Sequence, residues 1–219
     1  TYDFYAGGAG TNYGPFTGSH EVILESEFLK YAKPGMIVST TGQVKNRKDS
    51  LSSTLPTVKL TDTANSNTVF GVYTNISNLP ADHWYKPQSG EQTAIVNALG
   101  DGRVWVTNYA GEIKNGDRII SSPIAGYGMK EDGRYPQAHI VAKITEDIDW
   151  SKVTNTVEYE GEIYKVYLAA GIYDTLSTVT SDQKKLNELS DKVSKQQQTI
   201  DAQQKQINEL KIFIKELKK

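Results

Sequence analysis

The chain has 219 residues, and its 24 Lys and Arg against 26 Asp and Glu give a formal net charge of −2. It contains no cysteine, which excludes a disulfide scaffold, a thiolate zinc site and a cysteine nucleophile. No apolar run approaches the roughly 18 residues of a membrane span, no secretory-signal pattern opens the chain, and the balanced charge argues against a broad nucleic-acid-binding face.

Composition breaks near residue 180. All 18 Gly, 7 Pro, 13 Tyr and 3 Trp fall before it, and residues 181–219 hold none of them. Turns and strands use Gly, Pro and aromatics, whereas a long helix avoids Gly and Pro. The expected organisation is a β-rich body over 1–176 and a coiled-coil oligomerisation helix over 177–219. The fold class is mainly β: a compact domain of short strands followed by a C-terminal α-helical coiled coil.

In chain order, Gly7-Gly8-Ala9-Gly10 resembles a phosphate loop only superficially, because no Gly-Lys-Ser/Thr follows; it reads as tightly turned backbone. Strands are expected at 36–39 after Pro34-Gly35, at 57–60 after Pro56, at 69–73, at 93–99 and at 103–107. The last two flank Gly100-Asp101-Gly102, a hairpin signal. Val104-Trp105-Val106 lacks polar alternation and predicts a strand covered on both faces. Further strands are expected at 118–121 after Asn115-Gly116, at 139–144 and at 163–168. No strand alternates with a helix-length pattern, so a parallel α/β sheet is not expected. Lys33-Pro34-Gly35-Met36-Ile37-Val38-Ser39 echoes Lys114-Asn115-Gly116-Asp117-Arg118-Ile119-Ile120-Ser121. Two similar turns explain this more simply than two related β units.

The tail gives the strongest signal. Apolar or amide residues recur at alternating steps of three and four. Position a holds Leu186, Val193, Ile200, Ile207 and Ile214, and position d holds Leu189, Gln196, Gln203, Leu210 and Leu217. This spacing predicts a left-handed coiled coil whose stripe needs partner chains. β-branched residues at a with Leu at d lean toward two strands in parallel coils. The two Gln at d weaken the middle of the seam, while hydrogen bonds between them would fix its register. Ile212 and Phe213 are apolar outside the stripe.

The chemistry-bearing residue types give no catalytic or metal site. His20, His83 and His139 lie far apart without metal-type spacing. Glu158, Glu160 and Glu162 alternate as a solvated strand face does, and Asp147 and Asp149 read the same way. Asp101 with Arg103, and Asp117 with Arg118, read as ordinary surface charge. Asn75-Ile76-Ser77 fits a glycosylation sequon. Ser19-His20 is the one adjacent nucleophile–base pair, and no third group can be named to orient it.

The body resembles a C-terminal domain found in phage tail-fibre and tail-spike proteins. The resemblance starts in Phe4-Tyr5-Ala6-Gly7-Gly8 and Asn12-Tyr13-Gly14-Pro15-Phe16-Thr17-Gly18-Ser19-His20. It continues in Pro34-Gly35-Met36-Ile37-Val38, Val69-Phe70-Gly71-Val72 and Val96-Asn97-Ala98-Leu99-Gly100-Asp101-Gly102. Gly116-Asp117-Arg118-Ile119-Ile120-Ser121-Ser122, Ala125-Gly126-Tyr127-Gly128-Met129-Lys130 and Val141-Ala142-Lys143 complete it. It implies a virion fibre or spike terminus made in the host cytoplasm, a homotrimer rather than the dimer the heptads also allow. That role is structural, not enzymatic, and needs no cofactor. Some related domains act as intramolecular chaperones that cleave themselves off; this chain lacks the Ser-Asp opening and closely spaced basic dyad of the best-known cleaving type. The expected partner is the chain itself. On an alternative reading the domain is a receptor-binding tip, with a host receptor or glycan as partner. Neither nucleic acid nor membrane insertion is expected.

Overall fold

The computed structural model describes residues 18–25, 30–49 and 53–217. Among them the chain is mainly β, with one long C-terminal helix, and it divides into two compact units, Thr1–Val179 and Thr180–Lys219.

In the first unit, β1 (Ser19–Leu24), β2 (Ile37–Asn46), β3 (Thr54–Leu60), β4 (Val69–Ser77) and β5 (Gln92–Asn97) close into a barrel in the order β1-β3-β2-β4-β5. β1 runs parallel to β3, and the other pairs are antiparallel. Val22, Leu24, Val38, Val58, Tyr73, Ala94 and Val96 fill its interior. The β2–β3 register shifts between Thr40 and Val44, around Gly42 at φ +86°. Such irregularities sharpen the bend that a small barrel needs to close.

The strands that follow are β6 (Leu99–Thr107), β7 (Arg118–Ser121), β8 (Gly128–Lys130), β9 (Gln137–His139), β10 (Ala142–Ile144), β11 (Thr156–Tyr159), β12 (Glu162–Asp174) and β13 (Thr178–Thr180). Six of them form a sheet in the order β10-β7-β8-β6-β12-β11, and β10 also bonds to β12. Five strands therefore close a second ring, β6-β8-β7-β10-β12, and β11 extends it as a hairpin with β12. β9 and β13 form a separate pair.

The two rings share one topology. Each has a single parallel pair, β1 with β3 and β6 with β8. β1, β2, β3, β4 and β5 correspond to β6, β7, β8, β10 and β12, and the registers agree residue by residue. Val38 faces Leu60 and Gly71; Ile119 faces Lys130 and Ala142. His20 faces Val96; Gly102 faces Gly171. Leu24 lies beside Val58, and Val106 beside Gly128. Val22 thus matches Val104, Leu24 matches Val106, Val38 matches Ile119, Tyr73 matches Ile144 and Ala94 matches Ala169, each inside its own core. The echo between 33–39 and 114–121 is therefore more than two similar turns: it marks the same turn in two equivalent β units. The likeness is faint in sequence because a core accepts many apolar side chains of suitable volume.

The barrels pack through one such pair of positions. Ile37 and Val72 face each other across β2 and β4, point away from their own barrel and join the core of the second. Their counterparts, Arg118 and Lys143, face each other across β7 and β10 and are exposed. The Trp105 N–H donates to Gly35 O at 2.8 Å and its ring Nε1–H to Pro34 O at 3.0 Å, which ties β6 to the turn before β2.

Three further expectations are corrected. Gly100-Asp101-Gly102 does not turn a hairpin; it lies inside β6, and β5 and β6 belong to different barrels. Glycine is needed there for another reason, since a Cβ on Gly102 would overlap the Tyr173 hydroxyl, which donates to Arg103 O at 2.6 Å. The strand expected at 139–144 splits into β9 and β10. The helix begins at Ser181 rather than 177, because the β-branched run Thr178-Val179-Thr180 pairs as β13.

The second unit is built on α1 (Ser181–Leu217), 37 residues long and about 55 Å at 1.5 Å per residue.

Candidate functional site

Residues 181–217 contain no Gly or Pro, so nothing in the sequence breaks the helix. The heptad positions whose side chains are described remain open to solvent: Leu189, Val193, Ile200, Ile207, Leu210 and Ile214 are 45–61% exposed. Gln196 and Gln203 are exposed between them. The side chains of Leu186 and Leu217 lie outside the described residues, as does that of Phe213, while Ile212 beside it is exposed. Exposed β-branched and Leu side chains on one stripe of a helix are a driving force for association, since each gains about 1.5–3 kcal/mol when fully buried.

The polar surface of α1 is organised along the helix. Gln197 Nε2 donates to Asp201 Oδ1 at 2.9 Å and Gln204 Nε2 to Asn208 Oδ1 at 3.2 Å, both one turn on. The Thr199 hydroxyl donates to Lys195 O at 3.0 Å. Gln196 and Gln203 belong to no such bridge within the helix.

The remaining candidate residues do not converge. Ser19 and His20 are consecutive in β1 and project to opposite faces. The Ser19 hydroxyl donates to Asn97 Oδ1 at 2.7 Å, and the His20 ring tilts against Phe70 at 5.5 Å. His83 accepts the Tyr85 N–H at Nδ1 (3.1 Å) and approaches the Glu21 carboxylate at 3.3 Å through Nε2. The His139 backbone N–H donates to Asn65 Oδ1 at 2.8 Å. Glu158 lies in β11, Glu160 turns the hairpin at φ +52°, and Glu162 opens β12. Asp147 accepts the Asn115 N–H at 3.2 Å, and Asp149 pairs with Lys152 at 2.7 Å. Asp117 pairs with Lys130 at 2.8 Å rather than with Arg118. Asn75 lies in β4 with its side chain bonded to Thr74 and Ile76. Gly7-Gly8-Ala9-Gly10 lies outside the described residues. Among the described residues no group of His, Asp and Glu is placed to hold a metal ion.

One polar cluster has no sequence signal, because its members come from β2, from the loop before β5 and from the barrel edge. A cavity of about 220 Å³ is lined by Ile23, Glu25, Gln43, Lys45, Thr57 and Glu91, among others. Glu91 accepts the Tyr85 hydroxyl and the Gln88 N–H, and lies 3.9 Å from Lys45. The Tyr85 hydrogen bond holds the Glu91 carboxyl below the usual carboxylate range. Burial, with Glu91 adding to it, pushes the Tyr85 hydroxyl up to about 12. A second feature is aromatic. Tyr109 packs on Tyr164 at 5.2 Å and edge-on to Tyr159 at 6.1 Å, and Trp105 meets Tyr127 at 6.2 Å.

No protein-family model matches the chain, and no curated protein matches it in sequence.

Proposed function

We propose that the chain is the trimerising C-terminal domain of a viral fibre or spike, in which α1 holds three copies together. The observation that carries this reading is the apolar stripe of α1. Six of its side chains are 45–61% exposed on a helix too narrow to cover them itself. Intertwined fibre chains register slowly because their contacts are non-local. A terminal bundle brings the chain ends together and raises their effective concentration toward the millimolar range. On this reading the domain acts structurally, and the resemblance of the body to fibre termini is what supports a role on a virion.

The test is the mass of the chain in solution by sedimentation equilibrium at micromolar concentration. The reading expects about three times the 24.2 kDa of one chain; a monomer ends it.

A second reading, a receptor-binding tip, is favoured by the half-buried rings of Trp105, Tyr109, Tyr159 and Tyr164, since tyrosine and tryptophan suit recognition surfaces. Failure of the domain to bind host cells or envelope glycans would remove it. The self-cleaving alternative gains nothing from Ser19 and His20, whose side chains diverge. Unchanged processing of a Ser19→Ala precursor would dispose of Ser19 as nucleophile.

A further inference from the structure

We propose that Gln196 and Gln203 form two amide layers that hold copies of this chain parallel and in register in the α1 bundle. The inference rests on the self-association reading above and adds what sets the orientation and register.

Coiled-coil partners are commonly sorted by charge at positions e and g. That device is absent here. Position e holds Ser190, Gln197, Gln204 and Lys211, and position g holds Lys192, Thr199, Gln206 and Phe213. With no acid at either position, no ion pair can form between e and g in either orientation. The choice falls to the stripe itself, whose only polar members among the described side chains are the two Gln at d.

These two amides differ from their neighbours. Gln197 and Gln204 are satisfied one turn along the same helix. Gln196 and Gln203, one position earlier, have no such bridge; they are exposed at position d of the stripe. A glutamine amide carries two donors and an acceptor oxygen, and a buried amide left unpaired is costly. In a parallel, in-register bundle Gln196 meets Gln196 and Gln203 meets Gln203, so donors face acceptors. In an antiparallel bundle d positions pack against a positions, which here are all aliphatic, so each Gln meets Leu, Val or Ile. A slip of one heptad matches one pair of layers but sets the other Gln against Leu189 and Leu210. Two polar layers flanking Ile200 therefore exclude both errors, at some cost in stability.

The test uses the full chain, which has no native cysteine. Asp191→Cys and, separately, Ile212→Cys each carry a nitroxide at an outer position, about 32 Å apart along the helix. Pulsed electron paramagnetic resonance then reads the distance between like positions. A parallel in-register bundle gives one short, narrow distribution at both sites. Adding Gln196→Leu and Gln203→Leu should raise the Tm of the oligomer while splitting or broadening both distributions. Narrow, unchanged distributions in the double-leucine chain would overturn this inference and leave self-association standing. A monomeric parent chain would overturn both.

Discussion

Gly35 and Gly116 occupy the same place in two barrels. Each is the third residue of a turn closed by an N–H to C=O bond of 3.1 Å, Met36 to Lys33 and Asp117 to Lys114. They sit at φ +94° and +86°, and each donates its own N–H to the matching strand, to Tyr73 O and to Ile144 O. Only their surroundings differ. A Cβ on Gly35 would stand 2.6 Å from Leu168 Cδ1 and 3.1 Å from Trp105 Cδ1, whereas one on Gly116 meets nothing within 4 Å. Both Gly→Ala variants carry the left-handed penalty of about 1–2 kcal/mol. Gly35→Ala should cost more, because Leu168 and Trp105 must also shift. Urea unfolding of the two variants checks this; equal losses would contradict it.

The interface pair gives a sharper contrast. Ile37→Arg puts at the barrel contact the residue type that the second barrel exposes at 118. An unpaired charge in that core should destabilise by on the order of 3–5 kcal/mol. Arg118→Ile, at an exposed site, should change stability by no more than about 0.5 kcal/mol. Thermal unfolding that ranks the two variants the other way would show that the equivalence is misdrawn.

Asn65 stands in for a strand. At φ +51° its amide donates to Gln137 O and accepts from the His139 N–H, both at 2.8 Å. Asn65→Gly keeps the backbone freedom and removes both bonds, so it should cost about 1–3 kcal/mol. Hydrogen exchange at the His139 amide should accelerate in the variant, and an unaltered rate would rule the contact out.

The Tyr85–Glu91 pair sets a pH dependence of known sign. Glu91 titrates below its ordinary value in the folded chain. It therefore contributes stability above about pH 4 and loses it as pH falls through the lowered value. Tyr85 is raised to about 12. Its contribution is complete below the usual tyrosine value of about 10 and disappears as pH rises through the folded value. The stability gap between the parent chain and Tyr85→Phe should be widest between these limits and close toward both. Urea titrations from acid to alkali measure it; a gap independent of pH would dissolve the pair.

What the sequence disclosed follows the range of the interactions involved. α1 was legible because a three-four spacing is local and residues such as Val193 and Ile200 repeat it without interruption. β7 was legible because Asn115-Gly116 turns straight into Arg118-Ile119-Ile120. The barrels were not, since closure depends on Ser19 reaching Asn97 and on Ile23 running parallel to Thr57, pairings that leave no periodic trace. Gly102 misled for a related reason: a glycine that admits the Tyr173 ring looks in sequence like one that turns the chain. The Glu91 cluster went unseen because Lys45, Tyr85 and Glu91 meet only after the first barrel folds.

The most direct measurement of the central claim is the solution mass of the Ile200→Asp/Ile207→Asp chain beside that of its parent. Two carboxylates in the stripe should leave a 24.2 kDa monomer whose near-ultraviolet dichroism still reports folded barrels, while the parent weighs about three times as much. A double variant as heavy as the parent would mean that the copies are held together somewhere other than α1.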